Sequence, residues 1–114
     1  MRQDLSKSDK KAARNVIDLS LVRELEQGVK EFDALLSRWK SGSLKTDDTY
    51  WDLTEAIRKH NKLIRRRYGD IRCSTYLTII LGLMADEIIH ENDLKEFSEE
   101  TREYLISLYQ NIYK

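Results

Sequence analysis

The chain has 114 residues, which is enough for one modest hydrophobic core and too short for two separate ones. Charged residues make up 35% of it, but 20 basic and 20 acidic residues cancel to a formal net charge of zero, so the composition favours no polyanionic partner. Proline is absent and glycine occurs four times, which argues against sheets and long loops and predicts an all-α fold.

The first predicted element is a long helix over about residues 15–40, which follows a polar and flexible N-terminus of residues 1–14. Its apolar residues alternate spacings of three and four, the heptad pattern of a helix that packs along another helix. This seam consists of Val22, Leu25, Val29, Phe32, Leu36 and Trp39. At about 1.5 Å per residue the helix is roughly 37 Å long, longer than any later one. The seam therefore predicts a homodimer in which two long helices pair antiparallel across a twofold axis. The alternative is that the third and fourth helices cover it within one chain.

A loop over residues 41–48 separates the first helix from the second, with Gly42 as the glycine that ends the first. Thr49, followed by Asp52, predicts the start of the second helix, which runs to Tyr68. One face of this helix combines an aromatic anchor with charged side chains, a composition typical of protein-binding hot spots. The candidate partner-binding residues on this face are Trp51, Glu55, Arg58, Lys59 and Lys62.

The second helix also carries six positive charges within the ten residues from Arg58 to Arg67. Such a run can bind nucleic acid, because clustered lysine and arginine side chains release counterions from phosphates. It can also be a solvated helix end, or it can pair with acidic groups of the C-terminal quarter, of a second copy or of an acidic protein partner. Nucleic-acid binding is therefore the alternative function, and we do not count nucleic acid among the expected partners.

Gly69 and Asp70 break the second helix, and Asp70 is the predicted N-cap of a third helix over about residues 71–89. This helix is apolar nearly all round, which predicts the central element of the core. Its uncharged run Cys73–Ala85 has 13 residues, fewer than the roughly 18–20 that span a bilayer, so we expect no membrane association. Asp70 and Arg72 form a predicted structural polar corner. A turn at residues 90–93 then leads to a last amphipathic helix capped by Ser98. The sequence thus predicts a single all-helical domain of about four helices over residues 15–114.

Residues that could perform chemistry are few, since His60, His90 and Cys73 are the only histidines and the only thiol. His60 could act as a general base, but a single histidine beside an asparagine on a helix more often packs or faces solvent. The segment "HEND" at 90–93 lacks the second histidine of a zinc motif, and no phosphate-binding or nucleophile motif occurs. We therefore expect no enzymatic activity, no catalytic residue, no metal and no cofactor. A single cysteine and the lack of a secretory signal predict a cytoplasmic protein.

The segment "DIRCSTYLTIILGLMADEIIHENDL" at 70–94 resembles the fluorescence recovery protein family, best known from cyanobacteria. That family carries Asp-aromatic-Arg-aromatic-Ser, an apolar helix, an acidic position and then Leu-His-x-x-acid-Leu. The positions that match or nearly match are Asp70, Arg72, Ser74, Leu83, Asp86, His90, Asp93 and Leu94. Trp51 and Tyr68 fall at the family's spacing, with Gly69 as one extra residue. The resemblance covers residues 51–97, and the order of helices also agrees.

The resemblance implies a small, dimeric, all-helical protein that is not an enzyme and that regulates another protein by binding it. Cyanobacterial members bind the photoactivated orange carotenoid protein and speed its return to the resting form, which implies a carotenoid-binding photoreceptor as the partner. Similar relatives occur where that photoreceptor is absent. The chain departs from the family at Thr54 and Glu55, which replace a His-Asp pair, and at Asn61, which replaces an arginine. The aromatics that flank Arg72 become Ile71 and Cys73, so the likeness is greater in the scaffold than in the binding face.

Overall fold

The computed structural model of the protein describes residues 5–113, which contain helices and no strand. Four α-helices follow one another as α1 (Lys7–Lys40), α2 (Thr46–Tyr68), α3 (Tyr76–Ala85) and α4 (Glu99–Tyr113). Two 3₁₀ turns, Cys73–Thr75 and Glu91–Leu94, precede and follow α3. The all-α prediction is confirmed, with 82% of the described residues helical. In the described part of the chain, no helix combines the length and the apolar character that a membrane crossing requires.

α1 begins at Lys7 rather than near the predicted Asn15. Ser6 caps it, because the backbone N–H of Asp9 donates a hydrogen bond of 3.1 Å to the Ser6 hydroxyl. Ala12 and Ala13 are buried in this first part of the helix. The prediction of a flexible N-terminus is therefore wrong for residues 7–14, while residues 1–4 lie outside the described residues.

The residues group into two compact units, and α1 contributes to both. Unit 1 contains the chain up to Leu21 and again from Asp70 onward, and unit 2 contains Val22–Gly69. The division between the units falls within α1 and not at a linker. The single domain predicted for residues 15–114 stays a prediction.

The core of unit 1 is built around α3. Its largest completely buried side chains are aliphatic and come from α1, α3, α4 and the segment between α3 and α4: Ile17, Ile80, Leu83, Ile89, Leu94 and Leu105. Each such side chain contributes about 1.5–3 kcal/mol through the removal of apolar surface from water. The predicted central role of the third helix is thus confirmed, although the helix is shorter than predicted.

The start of α3 differs from the prediction because Asp70 does not cap it. The backbone N–H of Arg72 donates to the Thr75 hydroxyl over 3.1 Å, and that hydroxyl lies 2.8 Å from the Asp70 carbonyl oxygen. The Asp70 carboxylate instead pairs with the Arg72 guanidinium, with 2.9 Å between Oδ1 and Nε. A 3₁₀ turn therefore comes before the α-helix, and the Asp70–Arg72 polar corner predicted from the sequence is formed.

The end of α3 is a Schellman motif with an unusual residue at its left-handed position. The N–H of Ile88 donates to the Leu83 carbonyl over 2.9 Å, and the N–H of Glu87 donates to the Met84 carbonyl over 3.1 Å. Glu87 has φ of 58°, a conformation that glycine adopts most easily because it has no Cβ. The helix ends four residues before the predicted Ile89.

Asp9 ties the start of α1 to the start of α4 in unit 1. Its carboxylate accepts hydrogen bonds from the Ser98 N–H and hydroxyl, both at 2.7 Å, and from the Thr101 hydroxyl at 2.6 Å. Burial alone would raise the pKa of Asp9, but the hydrogen bonds from Thr101, Ser98 and Ser6 outweigh it and lower the pKa below its ordinary value. Ser98 caps α4 as predicted, since its hydroxyl lies 3.3 Å from the Thr101 N–H that donates to it.

Unit 2 contains the rest of α1, a short loop and α2. Gly42 has φ of 84° just beyond the end of α1, which confirms its predicted role as the glycine that ends the helix. α2 begins at Thr46, so the prediction that Thr49 starts it is wrong. Thr49 is buried, and its hydroxyl donates to the Lys45 carbonyl over 2.7 Å. The indole N–H of Trp39 donates to the Thr46 hydroxyl over 2.9 Å and closes the loop.

Candidate partner-binding surface on α2

The five residues predicted to bind a partner lie on one face of α2. Their spacing of four, three, one and three residues follows the helical repeat, so their side chains project to one side. Four of them are exposed and one is half-buried; we call this set the α2 outer face: Trp51, Glu55, Arg58, Lys59 and Lys62. The structure thus brings all five together, and their role in binding stays a prediction.

Two aromatic side chains stand in solvent at the start of this face. Trp51 is 66% exposed and Tyr50 is 64% exposed. Their rings contact each other edge to face, with centroids 5.0 Å apart at an angle of 84°. This geometry is favourable for aromatic rings and restrains the indole. Tyr50 was not among the predicted residues, although its place next to Trp51 in the sequence was a signal.

A bidentate ion pair lies on the same face, about one helical turn after Trp51. Nε of Arg58 donates to Oε2 of Glu55 over 3.1 Å, and a terminal nitrogen of the guanidinium donates to Oε1. The hydrogen bond from Arg58 lowers the pKa of the Glu55 carboxyl. An exposed pair like this contributes little to folding stability, but it fixes the two charged groups relative to each other on the face that carries Trp51.

The basic run Arg58–Arg67 does not form one continuous cationic surface. Arg67 at its end turns inward, and its Nε lies 2.8 Å from Oε2 of the buried Glu24. Arg58 at its start is paired with Glu55. The exposed cations between them are Lys59, Lys62, Arg65 and Arg66.

His60 lies on the inner face of α2, where it contacts α1 within unit 2. Its Nε2 is 2.9 Å from the backbone carbonyl oxygen of Glu24 and therefore donates, because a carbonyl oxygen only accepts. The Phe32 ring meets the imidazole edge to face, with centroids 5.9 Å apart. At Gly28 an added Cβ would lie 2.5 Å from Cε1 of His60, so the ring fits only against a glycine. These contacts give His60 a packing role.

Glu24 is the second polar group that joins the two helices of unit 2. It is 2% exposed, and its Oε2 accepts a hydrogen bond of 2.6 Å from the Tyr68 hydroxyl as well as the ion pair from Arg67. Burial and the adjacent carboxylate raise the pKa of Tyr68 well above its ordinary value of 10. Sequence reasoning missed both Glu24 and Gly28. The sequence did contain a signal for them. Leu21, Glu24, Gly28 and Leu35 are separated by three, four and seven residues, so they form a second line along α1 beside the seam.

The predicted dimer seam on α1 is divided between two environments. Phe32 and Leu36 are half-buried, and the Trp39 indole is hydrogen-bonded to Thr46. By contrast, Val22, Leu25 and Val29 are exposed, with Val22 and Val29 each 62% exposed. This exposed part of the seam is the surface that a second copy would cover, and the homodimer stays a prediction.

The remaining sequence candidates lie in unit 1. Asp70 and Arg72 are both about two-thirds exposed, so their ion pair is a surface feature of small energetic weight. Cys73 is exposed, and the backbone N–H of His90 donates to the Asp93 carboxylate over 3.0 Å in the predicted turn. Within residues 5–113, no group of three histidine, cysteine, aspartate or glutamate side chains is arranged so that it could hold a metal ion.

No family profile, no curated protein and no solved structure matches this chain. The similarity to the fluorescence recovery protein family therefore stays a prediction that depends on residues 51–97. The exposure and the hydrogen bonds of the α2 outer face do not depend on that similarity.

Proposed function

We propose that this protein is a non-enzymatic helical regulator that acts by binding another protein through the α2 outer face. The observation that carries the proposal is the position of Trp51. The Trp51 side chain is two-thirds exposed and shares one face of α2 with the hydrogen-bonded Glu55–Arg58 pair. The opposite face of this helix packs against α1. Tryptophan and arginine dominate the binding energy of protein interfaces, because they combine a large apolar area with hydrogen-bond donors.

The inner face of α2 supports this function by holding the helix in place within unit 2. His60 donates to the Glu24 carbonyl, while Arg67 and Tyr68 bind the Glu24 carboxylate. A surface that is already ordered loses little conformational entropy on binding, which increases affinity. The outer face can therefore act as a rigid anchor for a partner.

The charges of the α2 outer face define the partner's chemistry. Three cations and one carboxylate give the face a net charge of about +2 near neutral pH. A fitting partner surface offers an apolar pocket for the Trp51 indole with carboxylates at its rim. The resemblance to fluorescence recovery protein makes a carotenoid-binding photoreceptor the first candidate for that partner.

Affinity capture tests the proposal. The immobilised wild-type chain and its Trp51→Ala variant are incubated with extract of the source cells, and retained proteins are identified by mass spectrometry. The matched control is Leu63→Ala, which removes a partly exposed apolar side chain of α2 outside the outer face. We expect the wild type and the control to retain one and the same protein. When that protein is purified, it should bind Trp51→Ala about 30-fold more weakly than it binds the wild type. Equal retention by Trp51→Ala would overturn the proposal. It would also be overturned if the wild type retained no protein and the purified chain showed enzymatic activity on a small substrate.

The second candidate function is nucleic-acid binding, and the four exposed cations from Lys59 to Arg66 favour it. Neutralising four phosphates would give binding that falls with salt, with a logarithmic slope of about −4 on duplex DNA. Charge reversal is informative at Arg65 and Arg66, whereas Arg67 is needed for the ion pair with Glu24. Filter binding at low salt that retains neither duplex nor single strands excludes this candidate.

A further inference from the structure

Unit 1 contains a cleft of about 400 Å³ between the end of α3, the turn that follows it and the C-terminal half of α4. This volume lies within the range of small-molecule sites. Its apolar lining comes from Met84, Ile89 and Ile106, and one side carries the half-buried ring of Tyr109. The ring packs against Tyr113 with centroids 5.5 Å apart. The cleft therefore offers an aliphatic floor and a supported aromatic wall.

Acidic side chains supply the formal charge of this cleft. Two carboxylates, Glu87 and Glu91, line it together with the imidazole of His90 and the amides of Asn92 and Gln110, and no lysine or arginine among residues 5–113 does. Carboxylate and amide oxygens accept hydrogen bonds, and the face of a tyrosine ring attracts a cation. The lining is thus complementary to a positively charged group attached to an apolar body.

Glu87 occupies the left-handed position of the Schellman motif, with φ of 58°, where a glycine would be less strained. Substitution of this residue by glycine therefore removes the carboxylate and relaxes the backbone at once.

We propose that this cleft binds an organic ammonium ion with an aliphatic body. The ammonium group lies between the Glu87 and Glu91 carboxylates and the Tyr109 ring, and its N–H groups donate to carboxylate and amide oxygens. The aliphatic body packs against the half-buried Ile106, above the buried side chains of Met84 and Ile89. The site is in unit 1 and is separate from the α2 outer face of unit 2, so either proposal can fail without the other.

Three probes of equal length and different charge test this site: hexylammonium, hexanol and hexanoate. Each is titrated into the full chain at pH 7 while NMR records the methyl signals of Ile89 and Ile106 and the ring signals of Tyr109. We expect saturable shifts with hexylammonium, at least tenfold weaker binding of hexanol and no binding of hexanoate. Equal shifts with hexanoate, or no saturation with hexylammonium, would overturn the proposal.

Variants locate the binding within the cleft. Glu87→Gln and Glu91→Gln keep the shape of the side chain and remove its charge, so each should weaken hexylammonium binding about tenfold. Glu100→Gln, in the exposed first turn of α4, is the matched control and should change the affinity less than twofold. Wild-type affinity in both Glu87→Gln and Glu91→Gln would refute the site.

Glu87→Gly separates the functional role of this residue from a structural one. Glycine relieves the left-handed conformation, so we expect a higher midpoint of thermal unfolding together with weakened hexylammonium binding. A variant that is less stable than the wild type, or one that is more stable and binds as well, would contradict the assignment of Glu87 to the ligand.

Discussion

Tyr68 donates a hydrogen bond of 2.6 Å from its hydroxyl to Oε2 of Glu24, a carboxylate of α1 that is almost completely buried. The same oxygen pairs with Nε of Arg67. A buried carboxylate destabilises a fold unless its charge is paired and hydrogen-bonded, so these two neighbours on α2 make Glu24 tolerable. Because they follow the exposed part of the helix directly, the same contacts hold the α2 outer face in place.

Tyr68→Phe should destabilise the protein by about 1–3 kcal/mol, because it removes a hydrogen bond to a charged group. The folded-state pKa of Tyr68 lies above the ordinary value of 10. The contribution is therefore complete below about pH 10 and is lost as the pH rises above it, where the tyrosine of the unfolded chain ionises first. Urea unfolding followed by circular dichroism from pH 7 to 11 measures the difference. Tyr50→Phe, with an exposed ring, is the control; an equal effect of both variants would contradict the role of Glu24.

Gly28→Ala should destabilise the protein by about 1–3 kcal/mol, although alanine normally stabilises a helix by about 1 kcal/mol relative to glycine. The new methyl group would displace the His60 ring and break its hydrogen bond to the Glu24 carbonyl. Gln27→Ala, at the exposed neighbouring position, should be neutral or stabilising. In the His60→Ala background the space is empty, so Gly28→Ala should lose most of its cost. Additive effects in thermal unfolding of the double variant would rule out this contact.

Asp9→Asn should remove a pH dependence of stability at acid pH. The pKa of Asp9 is lower in the folded chain than its ordinary value of 3.8. The stability that it contributes is therefore present above about pH 4 and is lost as the pH falls through the folded-state pKa. We expect the wild type to exceed Asp9→Asn by about 1–2 kcal/mol at pH 7, with the gap closing toward pH 2. Asp18→Asn, on the exposed side of α1, serves as the control, and a gap independent of pH would contradict the prediction.

The exposed part of the α1 seam predicts a dimer of about 27 kDa, twice the chain mass of 13.5 kDa. Val29→Glu should convert it to the monomer without loss of helix, because the side chain at this position is already 62% exposed within the chain. Gln27→Glu places the same charge on another side of α1 and should leave the mass unchanged. Light scattering over a range of concentrations measures both variants. A wild-type mass of 13.5 kDa at every concentration would show that the dimer does not form.

Much of this molecule follows from the sequence by itself, wherever the deciding interactions are local. The helical class, the face of α2 that carries Trp51 and Arg58, the end of α1 at Gly42 and the cap of α4 at Ser98 depend on neighbours within a few residues. Helical periodicity and capping are properties of such short segments, so composition and spacing are sufficient to predict them.

The tertiary structure alone decided what becomes of the groups whose partners are distant in the chain. Asp9 bonds to residues 89 and 92 positions away, and Glu24 bonds to a tyrosine 44 positions away. From the neighbouring sequence alone, Asp9 belongs to a polar and flexible segment and Arg67 belongs to a cationic surface. In the same way, His60 is a candidate general base. The free energy of a charged or polar side chain depends on whether burial supplies it with a partner, and only the folded chain brings that partner within hydrogen-bond distance.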